Sequence, residues 1–131
     1  MPVRTFPAWP ESVPDARGYV TDLLGRVPPA LCQTAALLVS ELATNVIRHS
    51  GARSFGIEVR VLPARVWVGI TDAGDGEPVL RRPPVTEEHG RGLQLVAMLA
   101  DRWGAGRRRD SRDRTVWFEL ALPAEPVMSL R

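Results

Sequence analysis

The strongest constraint on the fold is a pair of alternating segments in the middle of the chain. Alternate positions from 55 to 61 and from 66 to 70 are apolar, and Pro63-Ala64 separates the two runs. A period of two puts these side chains on one face of a strand, so the segments predict two strands joined by a turn, with one face buried. The same parity turns Asp72, at the last position of the second strand, toward the buried face.

A long helix from about Pro29 to His49 precedes these strands. Its apolar residues recur at helical spacing and form one stripe, and the Ser50-Gly51 pair ends the helix. We expect it to be the central helix of the fold. The stripe consists of Leu31, Ala35, Leu38, Leu42 and Val46.

Shorter elements are predicted at both ends of the chain. Residues 3–9 favour a short first strand, followed by a helix from about Pro14 to Gly25 that Ser12 and Asp15 can cap. Near the other end we predict a strand at about 102–106, a last strand at 115–122 whose alternate residues from Val116 face inward, and a frayed tail.

Length and composition limit the classes of function. The chain has 131 residues, 44% of them hydrophobic, which is typical of a single domain spanning 1–131. No apolar run approaches the roughly 20 residues that cross a bilayer, and the N-terminus lacks the pattern of a secretory signal. We therefore expect a cytoplasmic protein with no membrane partner.

Charge does not favour a nucleic-acid partner. All 17 basic residues are Arg, and 15 acidic residues nearly balance them. Five arginines cluster before the last strand, where a solvated loop is favoured over docking of an acidic partner or contact with a phosphate backbone. They are Arg107, Arg108, Arg109, Arg112 and Arg114.

The first candidate site motif lies in the central helix. Asn45 falls on the edge of the apolar stripe, and Glu41 lies one turn earlier on the same face. Polar groups at the boundary of a core need partners. In a purely structural role, Asn45 would bond a neighbouring loop and Glu41 would pair with Arg48 or another Arg, and His49 would be a capping or core histidine.

The second motif is Asp72-Ala-Gly74-Asp-Gly76, directly after a strand. A carboxylate on the buried side of a sheet needs hydrogen-bond donors, and the exocyclic amino group of a purine is a suitable one. The two glycines permit positive φ and close approach of a ligand to the backbone. An ordinary turn sequence is the alternative.

The third motif, Gly90-Arg91-Gly92-Leu93, opens a helix. A helix start offers free N–H groups and the positive end of the helix dipole, which suit phosphate, although two glycines before a helix are also common punctuation. The apolar face of this helix is predicted to hold Leu93, Val96, Ala97 and Leu99.

These three motifs and the closing Thr115-Val-Trp-Phe-Glu-Leu together resemble the ATP-binding domain shared by histidine kinases, Hsp90 chaperones and type II topoisomerases. Among its short forms, the chain is most similar to bacterial anti-sigma factor serine kinases. The resemblance covers about residues 12–122. It implies an α/β (α+β) two-layer sandwich of the Bergerat type, with a mixed, mostly antiparallel sheet and helices on one face.

The resemblance also implies roles for individual residues. Asn45 would hold Mg²⁺ against the phosphates of ATP, and Glu41 would be the general base toward a protein hydroxyl. Asp72 would bind the adenine amino group. Gly74 and Gly76 would let the nucleotide lie close, and the segment Gly90 to Leu93 would meet the phosphates through Gly90, Arg91 and Gly92.

The implied function is an anti-sigma factor that binds a sigma factor and phosphorylates a Ser or Thr of an antagonist protein, with two copies forming a homodimer. A non-catalytic ATP-dependent binding protein and a detached histidine-kinase catalytic domain are the alternatives. Two departures stand out: Glu87, Glu88 and His89 precede the phosphate motif, and Asp113-Arg114 replaces the Gly-Thr pair that often enters the last strand of related sites.

Overall fold

The computed structural model describes residues 3–73, 91–107, 111 and 113–123. The described strands are β1 (Arg4–Pro7), β2 (Ser54–Val61), β3 (Arg65–Asp72), β4 (Arg102–Arg107) and β5 (Arg114–Ala121). The described helices are α1 (Ser12–Leu23), α2 (Pro29–Asn45) and α3 (Arg91–Leu99), and a π-helical turn (Val46–Ser50) continues α2.

The strands form one sheet in the order β1-β2-β3-β5-β4. All four pairings among the described strands are antiparallel, so the parallel part expected of a mixed sheet is not found there. The predicted strands 55–61 and 66–72 are the central pair β2 and β3, and the turn between them closes with a hydrogen bond from Leu62 N to Arg65 O of 2.8 Å. The two-layer α+β architecture is confirmed.

The core lies between one face of the sheet and the helices. Alternate residues of β2, β3 and β5 are buried against α1, α2 and α3, which confirms the period-of-two prediction. The fully buried residues of the three strands include Ile57, Val66, Val68 and Phe118, and those of α2 include Ala35, Leu38 and Val39.

Residues Pro29–Ser50 are long and apolar enough to cross a membrane, by length and composition alone. The expectation that no segment approaches that length therefore does not hold. The resemblance to a membrane span is nevertheless weak, because the buried side chains of this segment pack into the protein's own core. A core helix that contacts both a sheet and two other helices can be as apolar as a membrane-spanning helix.

Two helices differ in detail from expectation. α1 begins at Ser12, which is buried inside the first turn, and no side-chain hydrogen bond caps the helix. In α3 the predicted apolar face is rotated: Val96 is buried while Leu93 and Leu99 are exposed. α3 meets α2 at Gly92, and Leu95, Val96 and Ala100 pack against the core, so Leu93 falls outside the contact face.

The ends of several strands lie side by side at one end of the sheet. The strand register places the start of β2, the end of β3, the start of β5 and the end of β4 side by side, with Phe55, Asp72, Arg114 and Arg107 in one row. Only residues 51–53 separate the π-helical turn from β2, so the C-terminal end of α2 lies at this same end. We call it the α2-terminal end of the sheet.

Adjacent leucines on α2 test this packing. Leu38 is fully buried whereas Leu37 is 42% exposed. We expect Leu38→Ala to lower the free energy of unfolding by about 2–5 kcal/mol, because it removes buried methyl groups and leaves a cavity. Leu37→Ala should cost less than about 1 kcal/mol. Urea denaturation of both variants measures the difference, and equal losses would contradict the packing described for α2.

Candidate functional site

The first and third motifs meet at a contact between Gly92 and Asn45. A Cβ placed on Gly92 would lie 2.7 Å from Asn45 Nδ2 and 3.3 Å from its Oδ1, closer than side chains tolerate. The first turn of α3 therefore lies directly against the amide at the C-terminal end of α2. Two motifs that are more than forty residues apart meet here, as a shared site requires.

Glu41 and Asn45 share one face of α2, as their spacing predicts, and both are half-buried. Among the described residues, neither the Glu41 carboxylate nor the Asn45 amide has a hydrogen-bond or ion-pair partner. The purely structural roles considered for them, a loop contact for Asn45 and an Arg partner for Glu41, are therefore not found in that part of the chain. Their oxygen atoms remain available to a ligand.

The backbone changes from an α-helix to a π-helical turn immediately after Asn45. Residues Val46–Ser50 form a π-helical turn, and Gly51 ends it with φ of 71°, in the left-handed region that glycine adopts without strain. The Ser50 hydroxyl accepts a hydrogen bond of 3.0 Å from Ala52 N and fixes the exit of the chain. His49 is exposed in this turn, so the idea of a core histidine is wrong.

Asp72 lies at the end of β3, facing the helix layer as predicted. It is buried, and on β2 it lies opposite Phe55, which is itself buried and stacks on Phe6 with ring centroids 5.6 Å apart. The apolar rings on that side keep water away from the carboxylate. A buried carboxylate with apolar rings on one side needs polar partners on the other side.

That other side carries Arg114, a residue that the sequence analysis assigned to a solvated loop. Arg114 is the first residue of β5, directly opposite Asp72, and its Nη2 lies 3.6 Å from Asp72 Oδ2. The loop interpretation is therefore wrong for Arg114. The parity of Val116 and Phe118 already implied an inward position for residue 114, because the three are two residues apart along one strand.

The remaining candidates are placed less fully. Gly74, Gly76 and Gly90 lie outside the described residues, as do Arg108, Arg109 and Arg112. Arg91 is the first residue of α3, and Leu93, one turn into that helix, is exposed. Thr115, one position before the inward-facing Val116, faces the other side of the sheet, where its hydroxyl forms a hydrogen bond of 2.7 Å with that of Thr71.

The groups present fit a nucleotide with its metal ion. The Asn45 amide supplies a neutral oxygen of the kind that Mg²⁺ accepts beside phosphates and waters. The N–H groups in the first turn of α3 lack intrahelical acceptors and face the same region as Asn45, and no side chain at Gly92 obstructs the approach. The buried Asp72 carboxylate supplies an acceptor for an amino group.

Comparison with known proteins points in the same direction. A family model described as the histidine kinase-like ATPase domain matches residues 6–120. An uncharacterized protein of Streptomyces coelicolor is 40% identical over 78 residues, which cover 56% of this chain and 74% of that protein. The family match includes all of α2, β3 and α3, and thus Glu41, Asn45, Asp72 and Gly92.

The contact between the two helices can be tested without a ligand. We expect Gly92→Ala to rotate the Asn45 amide away, because the added Cβ would lie 2.7 Å from its nitrogen. Stability should change by less than about 1 kcal/mol, since the end of one side chain can move and alanine favours the helix. The side-chain amide signals of Asn45 in a ¹⁵N–¹H spectrum, identified by their loss in Asn45→Ala, report the movement.

Gly18→Ala is the matched control, because a Cβ on Gly18 in α1 meets nothing within 4 Å. It should leave the Asn45 signals in place. Unchanged Asn45 signals in Gly92→Ala would show that α3 does not lie against this amide.

Proposed function

The chain belongs to the histidine kinase-like ATPase domain family, and from that premise we propose that it binds Mg-ATP at the α2-terminal end of the sheet and acts as an anti-sigma factor with serine/threonine kinase activity. The observation that carries the proposal is the pair Glu41 and Asn45 beside the first turn of α3, whose side chains have no hydrogen-bond or ion-pair partner in the part of the chain that the structure describes. The family supports ATP binding, and the retained Glu41 supports the kinase.

Each part of the nucleotide has a group that suits it. Asp72 accepts the hydrogen bond of the adenine amino group, and the start of α3 binds the phosphates through Arg91, Gly92 and the preceding Gly90. The Asn45 oxygen holds Mg²⁺. When bound, Mg²⁺ neutralises charge on the phosphate oxygens, which is the main requirement of phosphoryl transfer.

Glu41 then acts on the acceptor. Its carboxylate takes the proton from a Ser or Thr hydroxyl of the antagonist protein, whose oxygen forms a bond to the γ-phosphorus of ATP. The bond between that phosphorus and the β–γ bridging oxygen breaks, and ADP leaves with the electron pair. A carboxylate one helical turn from the metal-binding amide is suitably placed to orient the hydroxyl as well as to deprotonate it.

In this proposal the phosphorylated antagonist no longer competes for the kinase, which is then free to hold a sigma factor. The protein partners are the sigma factor and the antagonist, and the chain binds them as one of two copies in a homodimer. Nucleic acid is not a direct partner.

The binding step predicts a Mg²⁺-dependent affinity for ATP that Asn45 controls. We expect Asn45→Ala to weaken binding of a fluorescent ATP analogue roughly ten- to a hundredfold when Mg²⁺ is present, because a metal-binding oxygen is lost. In EDTA the two proteins should bind alike. Fluorescence anisotropy titrations with and without Mg²⁺ measure both effects.

Gln33→Ala is a control on the same helix, because Gln33 is exposed and lies three turns before Asn45. It should bind the analogue as the wild type does. Equal affinities of the wild type and Asn45→Ala, insensitive to Mg²⁺, would reject the site.

The kinase step depends on Glu41. We expect Glu41→Gln to bind ATP within about threefold of the wild type but to transfer phosphate roughly 10²–10⁴ times more slowly, since only the proton acceptor is lost. The assay incubates each protein with [γ-³²P]ATP and candidate antagonist proteins recovered with it from cell extract, and phosphoamino-acid analysis identifies the acceptor.

Two outcomes would favour one of the alternative functions over a serine/threonine kinase. Binding of ATP without transfer by the wild type to any recovered antagonist would favour an ATP-dependent binding protein. Label on a histidine instead of Ser or Thr would favour a histidine-kinase catalytic domain.

A further inference from the structure

We call the part of the proposed site formed by Asp72 and Arg114 the base end, because adenine is proposed to bind there. It contains a charged donor, Arg114, as well as an acceptor, Asp72. Asp72 and Arg114 are directly opposed on β3 and β5, where side chains on the same face are nearest neighbours. Both face the helix layer, because the Thr71 and Thr115 hydroxyls, one position away on each strand, bond each other on the opposite face. The register therefore commits Arg114 to the same side of the sheet as Asp72.

The ion pair leaves much of the guanidinium unused. The distance of 3.6 Å from Arg114 Nη2 to Asp72 Oδ2 is an electrostatic contact and too long for a strong hydrogen bond. Arg114 Nε is buried and has no hydrogen-bond partner among the described residues. A buried donor without a protein partner is uncommon in a native protein and needs an explanation, and an acceptor atom of a bound ligand is one such explanation.

The surroundings make this donor effective. The Arg114 side chain is 25% exposed and that of Asp72 only 4%, so the pair sits at the boundary of the core where water competes weakly. A guanidinium carries five N–H donors in a rigid plane, so it can keep its contact with a carboxylate along one edge and donate to a second acceptor from another.

Adenine presents a matching pair of atoms. Its exocyclic amino group is a donor, and the ring nitrogen N1 directly beside it is an acceptor. We propose that Arg114 is a second base-contacting residue, which donates a hydrogen bond to N1 while Asp72 accepts one from the amino group. The inference rests on the proposed binding of ATP and adds to it a residue that determines specificity for the base.

A double-mutant cycle between protein and nucleotide tests the contact. 1-Deaza-ATP has a C–H in place of N1 and keeps the amino group. We expect the wild type to bind it about tenfold more weakly than ATP, and Arg114→Met to bind ATP about tenfold more weakly than the wild type does, which corresponds to one charge-assisted hydrogen bond. Arg114→Met should bind both nucleotides equally, because the contact is already absent.

The controls separate a contact from a structural role. Arg102→Met removes an arginine from the other face of the sheet and should preserve the tenfold preference for ATP. If Arg114→Met weakens ATP and 1-deaza-ATP by the same factor, Arg114 only positions Asp72 and the proposal is wrong. It is also wrong if the wild type does not distinguish the two nucleotides, a result that does not require the variant to fold.

Failure of the inference is distinguishable from failure of the proposed function. ATP binding that depends on Mg²⁺ and Asn45, with no preference over 1-deaza-ATP, rejects only the role of Arg114. Absence of Mg-ATP binding to the wild type rejects both. Tighter binding of GTP than of ATP would assign the pair Asp72 and Arg114 to guanine, whose edge offers two donors and one acceptor, and would overturn the assignment to adenine.

Discussion

The site depends on how closely α3 approaches α2, and that distance is set where Gly92 meets the Asn45 amide. A Cβ at position 92 would displace the Asn45 side chain, so glycine is what lets the first turn of α3 lie at this depth with the Asn45 amide in its observed position. The far end of α3 is anchored separately: Asp101 N donates to Glu119 O at 2.9 Å, and the Asp101 carboxylate accepts from Ala121 N at 2.6 Å. A helix with contacts at both ends has its N-terminal N–H groups at a defined position relative to Asn45, which favours the proposed binding of phosphate.

The register of β3 with β5 fixes the positions of Asp72 and Arg114 in a comparable way. Side chains alternate between the two faces of a strand, so a slip of β3 by one residue would bring Thr71 to the helix layer and send Asp72 to the outer face, away from Arg114. The hydrogen bond between the Thr71 and Thr115 hydroxyls stabilises the observed register from the outer face, while the buried pairs Val68–Phe118 and Val66–Leu120 stabilise it from the inner face. The placement of Asp72 and Arg114 on one face therefore follows from the packing of β3 against β5.

Much of this arrangement was predictable from the sequence, because its main signals are local and periodic. The period of two located β2 and β3 and turned Asp72 inward, and helical spacing put Glu41 and Asn45 on one face of α2. The orientation of α3 was not predictable, since its apolar residues surround the helix and only the tertiary contact at Gly92 and Val96 selects a face. Arg114 was missed because a run of arginines resembles a solvated loop, although strand parity pointed inward. The π-helical turn after Asn45 has no sequence signature of its own, and the ligand roles of the site residues stay predictions.

Polar groups at the two ends of the sheet differ in their protein partners, apart from Asp72, which pairs with Arg114 at the α2-terminal end. This difference is an internal argument for where the molecule binds a ligand. At the end that holds Glu119, protein partners satisfy the buried carboxylate: Arg65 and Arg102 both pair with it. At the α2-terminal end, Glu41 and Asn45 have no such partners among the described residues, and Arg114 Nε is buried without one. An unsatisfied buried donor costs about 1–3 kcal/mol, and glycine in place of alanine in a helix costs about 1 kcal/mol. Arg114 Nε and Gly92 therefore each lower the stability of the free protein. Because the same fold satisfies its polar groups at one end, the unsatisfied groups at the other end support the proposal that a ligand binds there.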